Sequence, residues 1–526
     1  MKIKRIAVAL TAIISSTFGI AQSSIVENSL LLNSTQLTGS ARTMSIGGAM
    51  GALGGDISSA SLNPAGLGMF NRSSFSVTPS IDFHEVTANV GNEQFSDFRL
   101  NANINQIGVV FNDSKRDFLN EKFKGHTFAF NISRVRDYQN VYNYQGASRN
   151  SIVDFFLEEA AFLGEGPRFD ENNNQFTAFN SDYAYLAFEN YLIGKFSDFN
   201  IIDGRIEATP DPERINSFVE GESLQNSTVS TKGSHYSIDL SWGANYDDKV
   251  FFGAAIGFQT LRYRVTDEYR EFEYLLEDGS IDDVVQEIRL NDQRLVTGNG
   301  VNLRLGAIFK PADFLNLGIS YQTPTLMAID EENDFNLSVT YGDYLYVEGD
   351  DEQELSAISG LVGESRLHQS SYTVLVPGKI TLGGAFFFGK YGFVSADLDY
   401  INYQNTNVRS DELDVTPENN DISANLGSVW NYRVGGELRL EQFRLRAGYN
   451  RVNNPFNNAL GAIEENVTFG LGFRNSNYFV DLTTVLATPA QATSQAYSLT
   501  NPDNDIPVAQ ISRNTSRLAL TFGINF

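Results

Sequence analysis

The last segment of the chain alternates strictly between bulky apolar residues and small or polar ones. The apolar residues at every second position up to the chain end are Leu518, Leu520, Phe522, Ile524 and Phe526. Because successive side chains of a β-strand point to opposite faces, this segment presents one apolar and one polar face. That pattern is typical of a strand between lipid and a polar interior, although an edge strand of a soluble β-sandwich would share it.

The other end of the chain has the features of an export signal. A short basic stretch, residues 1–5, precedes an apolar run from Ile6 to Ile20, and Gly19 and Ala21 are small residues at the two positions that a signal peptidase reads. This order predicts a signal peptide over residues 1–21, cleaved before Gln22. The apolar run is too short for a stable membrane span, and no cysteine follows it that would accept a lipid anchor. We therefore expect an exported protein.

Composition excludes several classes of function. The chain has no cysteine, so a disulfide framework, a thiolate metal site and a cysteine nucleophile are excluded. The formal net charge, 38 − 64 = −26, argues against nucleic acid as a partner and against a basic patch that binds anionic lipid. Past the signal, no apolar stretch approaches the length of a spanning helix.

Alternation with a period of two recurs along the rest of the chain. About fourteen such segments follow residue 73, beginning with 73–84, 101–112 and 125–138. The predicted short turns are 247–248, 310–313, 389–391, 441–442 and 475–477, and the predicted long loops are 140–232, 275–297, 345–370, 409–427, 453–465 and 495–511. Outer-membrane barrels place short turns at the periplasmic end and long loops outside. The sequence therefore predicts an all-β, antiparallel transmembrane barrel of about 14 strands over residues 73–526, although the turn 113–124 is long for the periplasmic side.

Residues 22–72, between the signal and the first strand, have a different character. They are rich in small residues, including Gly47, Gly48 and Gly51, and they contain the sequence Asn63-Pro64-Ala65. A phosphate-binding loop would need a Gly-Lys-Ser/Thr sequence and a strand–helix unit, and the segment has neither. Small residues at this density allow close backbone packing in a confined space. We predict that the segment is a plug, or hatch, inside the lumen.

These features together resemble the FadL family of outer-membrane transporters of long-chain fatty acids and hydrocarbons. The resemblance rests on the glycine-rich segment with Asn63, Pro64 and Ala65, the first strand at Phe75, the fourteen-strand count, the strand 318–324 and the Phe526 end. It implies a monomeric barrel in the outer membrane of a Gram-negative bacterium, plugged by its N-terminal hatch. It also implies hydrophobic ligands that enter from outside and leave sideways through the wall into the membrane lipid. Only Asn63, Pro64 and Ala65 correspond residue by residue, so the identity of the ligand stays open.

The largest predicted loop is unusually apolar. Ser151 is placed to cap a helix through Phe155, Phe156 and Phe162, and a second stretch places apolar residues at helical spacing. The residues of that second stretch are Tyr185, Phe188, Leu192, Phe196 and Phe199. Two such helices above the barrel mouth would form a groove that captures apolar ligands, or they would simply pack on each other as a loop core. The sequence does not separate these alternatives.

The apolar alternation of the third strand slips after Ile132, across Ser133 and Arg134. Without a slip Arg134 would face lipid, at a cost of about 2–4 kcal/mol near the membrane midplane. A β-bulge at Ser133 and Arg134 would remove that cost, bend the wall and open a lateral gate. The alternative is that this is the outer end of the strand, where the charge is tolerated.

The remaining residues give no chemical signature. The histidines are scattered, no nucleophile elbow is visible, and the acidic runs lack the spacing of a calcium loop. We therefore predict no catalytic residues, no metal site, no cofactor and no enzyme activity. The alternatives to a transporter are a non-specific porin, which the predicted plug disfavours, and a FadL-like barrel that serves as a scaffold for secretion or surface attachment of a protein partner.

Overall fold

The computed structural model describes most of the chain, with short gaps. The described residues are 26, 28–29, 31–32, 36–114, 121–162, 168–170, 175–177, 181–211, 214–276, 278–348, 351–362, 366–456, 463–500 and 504–526. The predicted signal peptide, residues 1–21, lies outside them.

Strands dominate the described residues. In chain order β1 to β25 are Ser74–Val90, Glu93–Ser114, Phe123–Asp137, Asn140–Ser148, Arg168–Asp170, Gln175–Thr177, Phe196–Ile202, Arg205–Pro210, Glu222–Tyr246, Val250–Leu275, Val285–Ala312, Leu315–Gln322, Thr325–Tyr341, Leu345–Glu348, Asp351–Glu354, Arg366–Val376, Lys379–Phe387, Gly392–Asn402, Asn407–Arg409, Ser428–Leu440, Phe443–Val452, Glu464–Arg474, Tyr478–Ala487, Ala490–Ser494 and Ala509–Asn525. The helices α1 to α6 are Ala41–Ser45, Ser59–Leu62, Ile152–Phe162, Asp182–Glu189, Leu355–Ile358 and Thr416–Asn425, and 3-10 helices span Pro64–Met69, Gly389–Tyr391 and Tyr403–Asn405. No helix among the described residues is long and apolar enough to cross a membrane.

Nineteen of the strands form one closed antiparallel sheet. Five pairs of consecutive strands each form one interrupted strand of the wall, which we call a stave. Three pairs follow a single neighbouring strand: β3–β4 follow β9, β12–β13 follow β11, and β23–β24 follow β25. The pair β16–β17 follows β12–β13, and β18–β19 follows β16–β17, so the sheet has 19 − 5 = 14 staves. Three of these breaks contain a proline, Pro324, Pro377 or Pro489, which cannot donate a ladder hydrogen bond. The last strand pairs with the first from Ser74↔Asn525 to Asn89↔Gln510, which closes the barrel. The predicted fourteen-strand barrel is confirmed.

The two faces of the wall have opposite chemistry. On β25, Leu518 and Phe522 are 42% and 45% exposed on the outer face, whereas Arg517 and Thr521 on the inner face are buried. The same arrangement recurs around the barrel, where the exposed large side chains are apolar and the buried inward ones are mostly polar. An apolar outer band around a polar lumen is the requirement for a membrane-spanning barrel.

Several staves continue far beyond the membrane. Strands β9, β10 and β11 have 25, 26 and 28 residues, whereas about 9–11 residues suffice to span a bilayer. The prediction that 275–297 is a loop was therefore wrong, because β11 begins at Val285 and only a short connection separates it from β10. Strands β1 and β2 are likewise longer than predicted and meet at Gly91-Asn92. Sequence alternation missed these extensions because their outer faces are polar.

The predicted loop 140–232 is too long, because β4 and the start of β9 are strands of the barrel wall. The residues between them belong to a folded layer above the barrel mouth. Helices α3 and α4 and a four-stranded sheet, in the order β15-β14-β8-β7, share an apolar core with the extended strands. The expectation of one helix from Tyr185 to Phe199 was wrong, since α4 ends at Glu189 and Phe196 and Phe199 lie on β7. Tyr191, at φ 62°, ends the helical path after the C-cap Asn190.

Candidate transport pathway

Residues 36–70 are buried and contact inward-facing side chains on several sides of the barrel. Thr521 accepts a hydrogen bond from the Ala41 amide at 2.7 Å, and Thr468 donates to the Ser45 carbonyl at 3.0 Å. From other staves, Ser395 donates to the Ala49 carbonyl at 2.8 Å and Ser241 to the Ala60 carbonyl at 3.2 Å. The polar lumen thus satisfies backbone groups of a segment with little regular structure. This arrangement is compatible with the predicted plug.

The predicted hatch residues lie at close backbone contacts. Asn63 donates to the Gly51 carbonyl at 2.6 Å and accepts from the Ala65 amide at 3.2 Å, which caps the 3-10 helix that starts at Pro64. The Gly51 amide donates to Asp397 of the wall at 2.7 Å. Gly47 and Gly48, at φ 64° and 79°, make a turn that favours glycine at both positions.

A cavity of about 180 Å³ lies in the lumen beside this segment. Its lining includes the charged or titratable residues Arg134, His235, Arg304, Lys379, Asp399 and Arg433 and the apolar residues Leu32, Leu37, Leu62, Met327, Val376, Ile401 and Tyr403. Arg433 pairs with Asp399 at 2.6 Å, and Arg304 pairs with Asp239. Several apolar residues of the lining belong to a larger buried cluster with Leu261, Val296 and Val374. The cavity therefore has an apolar side and a side of paired charges.

The third stave has a register shift, which bends a strand locally, next to Ser133 and Arg134. The register of β3 against β9 shifts between Arg134 and Arg136, so Val135 is an extra residue in the ladder. Arg134 does not face lipid but is 1% exposed, with its Nη2 2.6 Å from Asp82 Oδ2. Ser133 is also buried.

The wall is interrupted next to this bend. Strands β2 and β3 pair only from Gln106↔Ser133 to Ser114↔Gly125. Among the described residues, the part of β2 from Glu93 to Asn105 pairs with β1 on one side and with no strand on the other. Phe98, Leu100 and Ile104 on this unpaired stretch are 50–59% exposed. We call this interruption the side gap.

A buried charge network lies beside the side gap. Asp82 binds both Arg134 and Arg517, and Asp137 accepts a hydrogen bond from Asn101 at 2.8 Å and lies 3.4 Å from His84 Nε2. The sequence analysis missed this grouping because its members come from four strands. Asp82, His84 and Asp137 have ligand atoms close enough to surround a metal ion. Two guanidinium groups already neutralise the carboxylates, however, so the donor set is that of a salt-bridge network.

The residues of the predicted capture groove lie in the apolar core above the barrel. Phe155, Phe156 and Leu192 are buried there, and Tyr185 and Phe188 pack against it while partly exposed. The side chain of Phe162 lies outside the described residues. Buried Glu271 accepts from the Ile152 amide at 2.9 Å, so α3 is tied to the extended strand β10. Burial raises the pKa of this Glu271 carboxyl. A capture role for these residues stays a prediction.

The closed wall, its apolar outer face and its polar lumen define an outer-membrane β-barrel protein. Among solved structures, the chain is similar to a FadL homologue from Pseudomonas aeruginosa, with a TM-score of 0.53 and 11% identity over 94% of this chain and 99% of that one. It is also similar to the toluene transporter TodX of Pseudomonas putida, with a TM-score of 0.48 and 14% identity over 94% and 100%. No family model matches the sequence, and no curated protein does. The predicted FadL-type fold is confirmed.

Proposed function

We propose that this protein is a monomeric outer-membrane transporter that takes up hydrophobic small molecules by passive diffusion. Ligands enter from outside, occupy the lumen above a plug formed by the N-terminal segment, and leave through the side gap into the membrane. The FadL-type fold supports the class of function. The observation that carries the proposal is the side gap itself.

The side gap is suited to an apolar exit. An unpaired strand edge exposes N–H and C=O groups to hydrocarbon, which is costly enough that bilayer-spanning structures normally avoid it. The β2 edge next to the gap includes Leu100 and Ile104, whose β1 partners Phe83 and Pro79 belong to the apolar stretch of that strand. An opening at this depth leads into lipid, where apolar solutes partition favourably. Retaining such an interruption is therefore easier to explain by function than by stability.

The lumen cavity offers both kinds of contact that an amphipathic or apolar ligand needs. Its apolar side would hold a hydrocarbon chain or ring, and its paired charges would hold a polar end or the water that accompanies it. Most of residues 36–70 are buried inside the barrel wall, which supports a plug and disfavours a non-specific porin. The chemistry of the polar end of the ligand decides the substrate class and stays open.

Deletion of Val135 tests the exit. Removing the extra residue restores the register of β3, so the stave can continue alongside β2 and close the side gap. The deletion turns Arg134 toward lipid, at a cost of about 2–4 kcal/mol near the midplane, so we expect a less stable barrel. It should still be heat-modifiable but lose uptake of a radiolabelled long-chain fatty acid by cells. The matched control is deletion of Gln286, the extra residue at another register shift, on β11 outside the membrane. Equal uptake by both deletion variants would exclude the lateral exit.

Native mass spectrometry with lipid extraction tests the ligand class. The folded barrel, purified from its own membrane, should carry an acyl chain or an aromatic compound in the lumen. An empty lumen together with a stoichiometric protein companion would contradict transport.

The second candidate is a scaffold for a protein partner. The tip of the β7–β8 hairpin presents Ile201 and Ile202 to solvent, 43% and 55% exposed, far from the membrane. Exposed apolar residues on a rigid outer layer favour protein contact. This function predicts a partner in pull-downs that the double variant Ile201→Ser/Ile202→Ser loses, with uptake of apolar compounds unchanged when the gene is deleted.

A further inference from the structure

Three cationic side chains lie close together on the outer face of the barrel wall, just above its apolar band. Arg264 on β10 lies directly opposite Lys232 on β9, and Arg262 lies two positions nearer the membrane on the same face. All three cations are exposed, whereas the adjacent residues Leu261 and Tyr263 of β10 are buried on the lumen side. We call Lys232, Arg262 and Arg264 the basic cluster.

The basic cluster has no counter-charge of its own. Among the described residues, none of its three members forms an ion pair or a hydrogen bond through its side chain. The carboxylates in register with Arg262 and Arg264 are Asp330 and Glu332 on β13. Strand β11 lies between β10 and β13, so these carboxylates are roughly 10 Å away. Each of these acids is bound on its far side, Asp330 by Ser371 at 2.8 Å and Glu332 by Gln369 at 3.2 Å.

Such an arrangement is unfavourable without a ligand. Cross-strand neighbours have their Cβ atoms about 4.5–5.5 Å apart, and like charges at that distance destabilise the sheet. A second cross-strand pair of cations, Arg270 and Arg289, shows how the chain avoids this cost elsewhere. Both bind Glu287, through Nε at 2.6 Å from Arg270 and at 2.8 Å from Arg289. The basic cluster lacks an equivalent of Glu287.

The position of the basic cluster along the barrel axis matches the headgroup layer of the outer leaflet. The outward residues of β10 are apolar from Val250 to Phe258 and polar from Thr260 to Arg270. With a rise of about 3.3 Å per residue and a tilt of about 45°, Arg262 lies roughly 28 Å along the membrane normal from Val250. The apolar band of such barrels is about 25 Å tall, so the basic cluster lies at the level of the outer-leaflet headgroups.

We propose that the basic cluster of Lys232, Arg262 and Arg264 binds the phosphate group of an outer-leaflet lipid. Guanidinium and ammonium groups form charge-assisted hydrogen bonds with phosphate, and arginine can do so with two parallel bonds. The bound phosphate supplies the missing counter-charge and fixes the barrel in the outer leaflet. The net charge of −26 argued against a basic patch of this kind, because it averages over acids that lie elsewhere on the chain. The site lies on the outer wall and does not depend on the proposed transport.

The test compares two variants of the full-length protein, purified in detergent from its own membrane. One is the triple variant Lys232→Gln/Arg262→Gln/Arg264→Gln, and the matched control is Arg270→Gln/Arg289→Gln. Tightly bound phosphorylated lipid per barrel is measured by native mass spectrometry. Each cation near an anionic surface contributes about 1 kcal/mol, so we expect the triple variant to bind at least about tenfold more weakly and the control to bind normally. Equal retention by the two variants overturns the proposal.

Two further arms identify the source of the phosphate. The delipidated wild-type protein is offered phosphorylated outer-leaflet glycolipid, the same lipid after enzymatic dephosphorylation, and inorganic phosphate. Binding of the phosphorylated lipid alone supports the proposal. Equal binding of the dephosphorylated lipid excludes phosphate recognition, and displacement of the lipid by inorganic phosphate replaces it with a free-anion site.

The single variant Arg264→Gln gives a readout that does not depend on lipid retained through purification. Without lipid it removes a repulsive pair, so its thermal midpoint should equal or exceed that of the wild type. With phosphorylated lipid the order should reverse, because the wild type gains more from the ligand. A midpoint difference with the same sign in both conditions contradicts the proposal.

Discussion

At the scale of single residues, buried ion pairs stabilise the wall beside the side gap. No pattern in the local sequence predicts these pairs. Asp82 is fully buried and lies between Arg134 and Arg517, with Arg134 Nη2 at 2.6 Å and Arg517 Nη2 at 3.2 Å. Buried charges are tolerated when each has a partner. The network joins β1, β3 and β25, and it therefore fixes the inward bend of β3 where the β2 ladder has ended.

Asp82→Asn should destabilise the barrel strongly. Removing the Asp82 carboxylate leaves Arg517 without a counter-charge and leaves Arg134 with only Asp137, 3.5 Å away. Breaking a buried pair costs about 3–5 kcal/mol. The measurement is the urea dependence of folding into lipid vesicles. The control is Asp97→Asn, whose pair with Arg99 is partly exposed at 3.5 Å and should change stability by at most about 1 kcal/mol. Similar losses for both variants would mean that the network is not a structural support.

A second residue-scale prediction concerns pH and the outer ends of the long strands. Burial raises the pKa of Asp267 to about 6, and Asp292 directly opposite on β11 raises it further, against a hydrogen bond from Ser227. Because the folded state binds this proton more tightly than the unfolded state does, its contribution to stability is present below about pH 4. The contribution is lost as the pH rises through about 6. Acidification should therefore tighten this region.

Amide hydrogen exchange measures this effect. After correction for the intrinsic pH dependence of exchange, the outer ends of β9, β10 and β11 should be more protected at about pH 5 than at about pH 7.5, by about 1–2 kcal/mol in opening free energy. Asp267→Asn should remove part of the difference, and the rest belongs to Glu271 and Asp292, whose pKa values burial also raises. Asp198→Asn, on the exposed strand β7, should leave it intact. If the Asp267 variant keeps the full pH dependence, another group is responsible.

At the scale of elements, the sequence predicted those features that depend on neighbours along the chain. The alternation around Tyr236 to Tyr246 and the short turn at Asp247-Asp248 are both present, with φ values of 58° and 56° at the two aspartates. The outer extensions of β1, β2 and β11 were missed because their alternation is between polar residues. Chain-local hydropathy cannot distinguish such strands from loops, since their partners supply the hydrogen bonds and the buried face.

Contacts between the N-terminal segment and the wall lead to an element-scale prediction. Gly318 of β12 faces the segment, and a Cβ there would overlap the Gly51 carbonyl oxygen and the Cα of Ala52. Gly318→Ala must therefore push the segment away from the wall, and we expect increased ion conductance in planar bilayers. Gly384→Ala is the matched control, because a Cβ at that position on β17 meets nothing within 4 Å. Unchanged conductance in the Gly318 variant would mean that the segment shifts without loosening its fit.

At the scale of the whole molecule, the class and closure of the barrel were predictable but the pathway was only partly so. A count of alternating segments and the asymmetry of turns and loops specify a closed barrel with two different ends. Val135 could be suspected from the slip in apolar phase. The side gap and the lumen cavity could not be derived, because they depend on residues as distant in sequence as Asp82 and Arg517. The basic cluster depends likewise on the register that brings Lys232 opposite Arg264.

The proposed division of the molecule into a barrel wall and an N-terminal plug leads to the last prediction. All fourteen staves pair with one another, so closure of the wall does not require the N-terminal segment. The segment contributes hydrogen bonds to inward side chains such as Asp397 and Thr521, and these groups would be hydrated in its absence. A variant that lacks residues 23–70 but keeps the signal peptide should therefore still insert and remain heat-modifiable, with a lower unfolding midpoint. Its single-channel conductance should rise from near zero to that of an open pore. A variant that inserts normally but stays closed would show that something other than the N-terminal segment blocks the lumen.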